Sequence, residues 1–116
     1  MGRLPNADRA IVPEAKIRRY LLDLTSEHGQ SKARFFLAFG FTMEAWGDLA
    51  EALRAHAVRQ EVAGERQTPF GTHYNVEGPV QTPDGRDPHI RSVWKIERGT
   101  TVPVLVTAYP PGKRTT

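Results

Sequence analysis

The chain has 116 residues, of which 39% are hydrophobic and 25% charged, and its formal net charge is +3. This balance is typical of one globular domain with a modest core, and the mildly basic charge permits a nucleic-acid partner without requiring one. The absence of cysteine excludes disulfides and thiolate metal sites. No apolar run resembles a secretory signal or a membrane span, so we expect a cytoplasmic protein without a membrane partner.

Three amphipathic segments in the first half of the chain predict helices. The first begins at Pro13, a favoured first-turn residue, and its apolar stripe extends to Leu24. The second covers residues 31–39 and ends at Gly40. The third begins at Thr42, whose side chain suits an N-cap, and extends to about residue 62.

The second half of the chain has the pattern of β-strands. The polar segment AGERQTPFG is interpreted as a connection, and from Thr72 onward apolar residues alternate with a period of two. The Pro-Asp-Gly sequence within TPDGR predicts a tight hairpin with Gly85 in the left-handed region.

The predicted fold class is therefore α+β. About three N-terminal helices pack on one face of a C-terminal antiparallel meander of three to four strands, because the strands offer one apolar face and the helices offer apolar stripes. We expect residues 1–110 to form this single domain and residues 111–116 to be a mobile basic tail.

The strand HIRSVWKI, residues 89–96, has one apolar and one polar face. A hairpin at TPDGR pairs it with the preceding strand so that apolar residues stay together, and the last strand, VLVTAYP, follows. The predicted polar outer face then contains His73, Asn75, Glu77, Arg91, Lys95, Thr107 and Tyr109. Leu105 also falls on this face, which predicts partial burial or a bulge.

The outer face offers the groups that metal-independent RNA cleavage needs. A base removes the proton of the 2′-hydroxyl, cations stabilise the phosphorane, and an acid protonates the leaving oxygen. The sequence has no dense carboxylate cluster, so we expect neither a metal nor another cofactor. The alternative is an ordinary solvated sheet face, on which Arg91 and Glu77 form a cross-strand ion pair and Lys95 protects an edge.

A second candidate region is the segment EHGQSKARFF. His28 and Lys32 flank the start of the second helix and Arg34 lies nearby, so the region is either an anion site or a solvated helix cap. His56 lies near the apolar stripe of the third helix and is interpreted as structural or surface, and His89 at a strand start is expected to be exposed.

Long segments of the chain resemble an uncharacterised bacterial domain family, a domain of unknown function found as small proteins and as C-terminal modules of toxins. The resemblance covers nearly the whole chain. Its most specific pieces are HGQSKARFF and the strand segments IRSVWKI and PVLVTAYP. It implies a small cognate antitoxin or immunity-like protein as a partner.

The order of elements also resembles, more distantly, the RelE, EndoU and colicin nuclease class, in which N-terminal helices precede an antiparallel sheet whose open face cuts RNA. This resemblance implies that His28 and Lys32 supply the helical part of a site and Arg91, Thr107 and Tyr109 the strand part. Arg91 and Lys32 would bind phosphate, His28 would act as acid or base, and Thr107 and Tyr109 would position the substrate.

The leading hypothesis is a toxin-like, metal-independent ribonuclease acting on RNA or tRNA, with Arg34, His73 and Lys95 as further substrate-binding residues. The alternative is a non-enzymatic interaction module of a two-gene, toxin–antitoxin-like pair, which binds a small protein through the same face. The two hypotheses are separated by whether the helical and strand residues meet in one cleft.

Overall fold

The computed structural model describes residues 2–111, so residues 112–116 of the predicted mobile tail lie outside the described residues. Within this range three helices precede a four-stranded antiparallel sheet, which confirms the predicted α+β fold class. No helix in the described part of the chain is long and apolar enough to cross a membrane.

The helices follow the predicted apolar stripes, with differences at their ends. They are α1 (Glu14–Lys16), which continues into a π-helical turn (Ile17–Leu21), α2 (Gln30–Ala38) and α3 (Trp46–Arg59). The predicted extension of the first helix to Leu24 was wrong, because the helix ends at Leu21 and Leu24 is 47% exposed. Thr42 accepts a hydrogen bond from the backbone N–H of Ala45 at 3.1 Å, but α3 begins only at Trp46.

The sheet contains β1 (Glu61–Thr68), β2 (Gly71–Pro79), β3 (His89–Glu97) and β4 (Val104–Tyr109), which lie side by side in chain order. The interpretation of AGERQTPFG as a connection was wrong, because most of this segment belongs to β1, which pairs antiparallel with β2. As an edge strand with mostly exposed side chains, β1 needs little apolar alternation, and Val62 is its contribution to the core.

The predicted pairing of β2 with β3 is confirmed. Tyr74 opposes Trp94 on the inner face and His73 opposes Lys95 on the outer face, so the inner face is mainly apolar and the outer face mainly polar, with Val93 as a buried apolar residue on the outer face. Gly85 in the connecting loop has a φ of 79°, the left-handed conformation that the Pro-Asp-Gly turn predicts.

A bulge between β3 and β4 resolves the apparent misplacement of Leu105. Thr107 opposes Val93 as predicted, but the next pair joins Trp94 to Leu105, which leaves Val106 as the additional residue. Leu105 therefore lies opposite inward-facing Trp94 and is fully buried. Tyr109 opposes Arg91, as predicted.

The core lies between the inner face of the sheet and the helices. Trp94 and Ile90 on β3 are fully buried together with Phe36 of α2 and Leu53 of α3. Burial of these large apolar side chains supplies the main driving force for folding.

The chain before α1 fixes the helices beside β4. The backbone N–H of Ile11 donates to the Pro103 carbonyl at 2.9 Å, and the N–H of Leu105 donates to the Ile11 carbonyl at 3.0 Å. Ile11 thereby forms a parallel bridge with β4 at Val104. This arrangement places the π-helical turn and the start of α2 at the β4 side of the sheet, where their side chains reach the outer face.

Candidate functional site

Six side chains from the helices and the sheet form a connected group, which we call the outer-face cluster. Its members are Tyr20, Lys32, Glu77, Arg91, Thr107 and Tyr109. All six are partly exposed, so the cluster is accessible to a ligand.

Arg91 joins the acidic and the aromatic parts of the cluster. Its Nε donates to Glu77 Oε2 at 2.6 Å, its Nη2 lies 2.5 Å from the same oxygen, and its Nη1 donates to the Tyr109 hydroxyl at 3.5 Å. The hydrogen bond with Tyr109, and then that with Glu77, raises the pKa of Arg91 above its ordinary value. The guanidinium is therefore a permanent cation held in one orientation on the outer face.

The helical part of the cluster approaches the sheet through Tyr20 and Lys32. The Tyr20 hydroxyl lies 3.1 Å from Thr107 Oγ1, so the two hydroxyls share a hydrogen bond. Lys32 Nζ lies 5.5 Å from the ring centroid of Tyr20 and 5.7 Å from that of Tyr109, and both distances are within cation–π range. Lys32 thus places a second cation next to the ring of Tyr109, whose hydroxyl accepts the hydrogen bond from Arg91.

The predicted helical residues divide between the cluster and the solvent. Lys32 belongs to the cluster, whereas the His28 side chain is exposed and forms no hydrogen bond or ion pair with any described residue. The contact between the two residues is from Lys32 Nζ to the backbone carbonyl of His28, at 3.5 Å. Arg34 is exposed on α2, and no hydrogen bond joins it to the described part of the cluster.

His73 and Lys95 lie towards the other end of the outer face. They oppose each other on β2 and β3, and Lys95 Nζ is 3.6 Å from a carboxylate oxygen of Glu97. Both line a cavity of about 320 Å³ next to the β1–β2 turn, together with the exposed ring of Phe70. The outer face therefore has an Arg91-centred region and a second basic region.

Sequence reasoning missed several members of this surface. Tyr20 was assigned to an apolar helical stripe, and its hydroxyl gave no signal that it would reach Thr107. Arg66 was missed because β1 was interpreted as a connection, although it lies directly opposite His73. His89 is exposed as predicted, yet its Nε2 lies 3.8 Å from Glu77 Oε1.

The arrangement is suited to binding and stabilising an anion. Arg91 and Lys32 supply positive charge, Glu77 is a carboxylate that can accept a proton, and the tyrosine and threonine hydroxyls can orient a polar ligand. Among residues 2–111, no three His, Asp or Glu side chains lie close enough together to hold a metal ion.

The buried histidine of the fold belongs to a separate network. His56 is 2% exposed, its Nδ1 lies 2.9 Å from Ser92 Oγ, and its Nε2 lies 3.0 Å from the Gly78 carbonyl oxygen. Burial lowers the pKa of His56 below its ordinary value. His56 thus joins α3 to the sheet, so of the two predicted alternatives the structural one is confirmed and the surface one was wrong.

Comparison with known proteins identifies the family of the chain. A search of the curated proteins and a search of the solved structures both found no match. The family model described as Domain of unknown function (DUF6883) matches residues 3–112, which include every residue of the outer-face cluster. The chain therefore belongs to the DUF6883 family of domains of unknown function.

Proposed function

We propose that this protein is a toxin-like, metal-independent ribonuclease that acts on RNA or tRNA at the outer-face cluster. The observation that carries the proposal is the position of Arg91, which contacts a carboxylate on one side and the Tyr109 hydroxyl on the other, with Lys32 beside the same tyrosine. A phosphodiester placed there meets two cations and a carboxylate.

The reaction is transesterification within the RNA chain. The 2′-hydroxyl loses its proton to Glu77 and attacks the adjacent phosphorus, so that a 2′-O–P bond forms and the P–O5′ bond breaks. Arg91 and Lys32 stabilise the additional negative charge of the phosphorane. The products are a 2′,3′-cyclic phosphate and a 5′-hydroxyl end.

Two imidazoles are candidates for the acid that protonates the leaving O5′. His89 Nε2 lies 3.8 Å from Glu77 Oε1, which puts the ring at the edge of the cluster. His28 is exposed in the turn before α2, four residues before Lys32. Tyr109 and Thr107 position the substrate between these groups.

The experiment compares cleavage of total bacterial RNA by the wild-type protein and by variants in the presence of a chelator. Arg91→Ala and Glu77→Gln are expected to lower the cleavage rate by about a hundredfold or more. Arg54→Ala is the matched control, because Arg54 forms a comparable ion pair with Glu51 at 2.6 Å on α3, away from the cluster. Separate His28→Ala and His89→Ala variants identify the acid.

Two outcomes would contradict the proposal. One is the absence of RNA cleavage by the wild-type protein at high concentration. The other is cleavage that Arg91→Ala and Arg54→Ala change equally, since this would indicate a contaminating nuclease or activity elsewhere.

The second candidate is a non-enzymatic module of a two-gene pair that binds a small antitoxin-like or immunity-like protein through the outer face. It is favoured by the position of His28, whose ring does not contact the cluster. Without His28 in the cluster, the Arg91–Glu77 pair has the composition of an ordinary interface ion pair. A purified protein that binds its genetic neighbour through Arg91, but leaves RNA intact, would establish this alternative.

A further inference from the structure

The turn between β1 and β2 presents an aromatic ring to solvent on a rigid backbone. Phe70 is 78% exposed, the largest exposure among the large hydrophobic side chains of the described residues. Its backbone N–H donates to Thr68 Oγ1 at 3.1 Å, and its carbonyl accepts from the N–H of Arg98 at 2.8 Å. The ring is thus held in solvent by a turn that is attached to the chain after β3.

Gly71 maintains this attachment. Its φ is 149°, and a Cβ at this position would collide with the carbonyl oxygen of Ile96 on β3. The turn can therefore press against β3 only with glycine here. A large apolar ring fixed in solvent offers one face on which a planar ligand such as a base can stack.

The ring borders the second basic region. The cavity of about 320 Å³ beside the turn has apolar walls at Phe70 and Ile96, and it is also lined by His73 and by the ion pair of Lys95 and Glu97. This volume is at the lower end of the range of small-ligand sites and is large enough for a nucleotide.

A row of basic residues crosses the sheet at the same level. Arg66 opposes His73 on β1 and β2, and His73 opposes Lys95 on β2 and β3, so their side chains share the outer face as neighbours. Arg66 is exposed and forms no ion pair with any carboxylate of the described residues. Lys95 Nζ lies 3.6 Å from Glu97 Oε2, and the Lys95 side chain is 41% exposed, so a phosphate that binds it competes with this carboxylate.

We propose that this cavity is a subsite for single-stranded RNA, in which a base stacks on Phe70 and the adjacent phosphate lies on the row of Arg66, His73 and Lys95. The subsite extends the proposed ribonuclease site and rests on it for its biological role. Lys95 and Arg91 both point outward on β3 four residues apart, a separation of about 13 Å along the strand. An RNA strand that occupies both regions must therefore be longer than a dinucleotide.

A nucleic-acid strand fits this surface better than a protein partner does. Aromatic rings interleaved with cations are the usual platform for single-stranded nucleic acid, because each base has a stacking face and each nucleotide a negative charge. A protein interface needs a larger contiguous apolar patch with few charges at its centre, whereas Phe70 is a single exposed ring next to His73 and Lys95.

The test measures the binding of a fluorescent single-stranded RNA of about ten nucleotides, a length within the usual site sizes of such surfaces. The RNA carries 2′-O-methyl groups, which prevent cleavage, and affinity is read from fluorescence anisotropy. Phe70→Ala is expected to weaken binding about fivefold to a hundredfold, the range for loss of one base–aromatic stack. Phe70→Trp is expected to restore it.

Two further variants separate stacking from charge and from general surface effects. Val58→Ala is the matched control, because Val58 is an exposed apolar side chain (46%) at the end of α3. The RNA affinity of this variant should equal that of the wild type. Lys95→Ala is expected to reduce the slope of log affinity against log salt concentration by about 0.7, the value for one phosphate contact with a single strand.

The outcomes for the subsite and for the ribonuclease are distinguishable. Phe70-dependent binding by a protein that cleaves no RNA would support the subsite and contradict the proposed function. Cleavage that depends on Arg91, together with equal RNA affinity of Phe70→Ala and wild type, would overturn the subsite alone. The subsite is also overturned if the wild-type protein binds no RNA, or if Phe70→Ala changes only the oligomeric state in sedimentation.

Discussion

The Tyr20 hydroxyl shares a hydrogen bond of 3.1 Å with Thr107 Oγ1 and thereby joins the π-helical turn to the outer face of the sheet. Gly29, which precedes α2, packs directly against Tyr20, and a Cβ at this position would meet its backbone carbonyl oxygen and its ring. π-Helical turns are rare and are frequent at functional sites. The close approach of Gly29 therefore packs the start of α2, which carries Lys32, against Tyr20.

Gly29→Ala is expected to destabilise the protein and to displace Tyr20. The added methyl group cannot be accommodated without a backbone shift, and overpacking of this kind costs about 1–3 kcal/mol of the free energy of unfolding. Urea denaturation measures the loss. The hydrogen bond between Tyr20 and Thr107 should be weakened in the same variant, which is visible as faster exchange of the hydroxyl protons in NMR spectra.

Gly47→Ala provides the matched control for this substitution. Gly47 lies in the first turn of α3, and apart from its chain neighbours and the nearby backbone of the helix a Cβ there would meet no atom within 4 Å. Alanine is favoured over glycine in a helix, so this variant should be as stable as the wild type or more stable by up to ~1 kcal/mol. Equal stability of the Gly29→Ala and Gly47→Ala variants would show that Tyr20 is not held as described.

Glu77→Gln is expected to separate activity from stability. The side chains of Glu77 and Arg91 are 26% and 28% exposed, so solvent screening limits their ion pair to about 0–1 kcal/mol of the free energy of unfolding. If Glu77 is the base of the proposed reaction, RNA cleavage should fall by about a hundredfold to ten-thousandfold. Cleavage assays and urea denaturation on the same preparations check both parts.

A different result for Glu77→Gln would change the interpretation of the cluster. Loss of cleavage in parallel with a large loss of stability would mean that the carboxylate acts by supporting the fold. Unchanged cleavage would exclude Glu77 as the base and leave His28 and His89 as candidates.

The sheet could be predicted where the sequence alternates and the turn is specific. Tyr74 and Trp94 on one face, with His73 and Lys95 on the other, determine the pairing of β2 and β3, because a slip of one residue would expose the apolar side chains. The Pro-Asp-Gly turn, with Gly85 in the left-handed conformation, also predicted the length of the loop and therefore which residues of β2 and β3 lie opposite each other. Even the bulge was indicated, by the apolar Leu105 on a polar face.

The parts that could not be predicted depend on tertiary contacts without a local pattern. β1 is an edge strand in which Val62 packs on the core, so its sequence does not differ from a polar loop until β2 pairs with it. Tyr20 has the spacing of an ordinary helical residue, and the π-helical turn that directs it towards Thr107 has no sequence signal. Of the helical part of the cluster, the sequence therefore predicted Lys32 but neither Tyr20 nor the contacts that join it to the sheet.

Ser92 connects two other buried groups, and its removal is expected to be costly. Its Oγ accepts a hydrogen bond from Trp94 Nε1 at 2.8 Å and lies 2.9 Å from His56 Nδ1. Ser92→Ala leaves Trp94 Nε1 and His56 Nδ1 buried without a hydrogen bond, while His56 Nε2 keeps the Gly78 carbonyl, and should lower the free energy of unfolding by about 1–3 kcal/mol. Ser31→Ala, on the exposed surface of α2, is the control and should change stability by less than ~0.5 kcal/mol.

The buried imidazole of His56 predicts a dependence of stability on pH. The Gly78 carbonyl can only accept a hydrogen bond, so His56 Nε2, at 3.0 Å, carries the proton and Nδ1 accepts from the Ser92 hydroxyl. The neutral ring is thus the form that the fold binds, and burial lowers its pKa from the ordinary value of 6.5. Below pH 6.5 the unfolded chain takes up a proton at His56 that the folded protein does not.

The contribution of His56 to the free energy of unfolding should therefore be constant above pH 6.5. Below this value it should decrease as the pH falls, by at most about 1.4 kcal/mol per pH unit. Urea denaturation between about pH 5 and pH 8 measures this slope, and the histidine variants below separate the part that belongs to His56. His56→Gln should be less stable and should lose this part of the slope. His28→Gln, which replaces an exposed histidine, should keep it. Equal slopes for His56→Gln and the wild type would show that the fold does not depend on a neutral imidazole at this position.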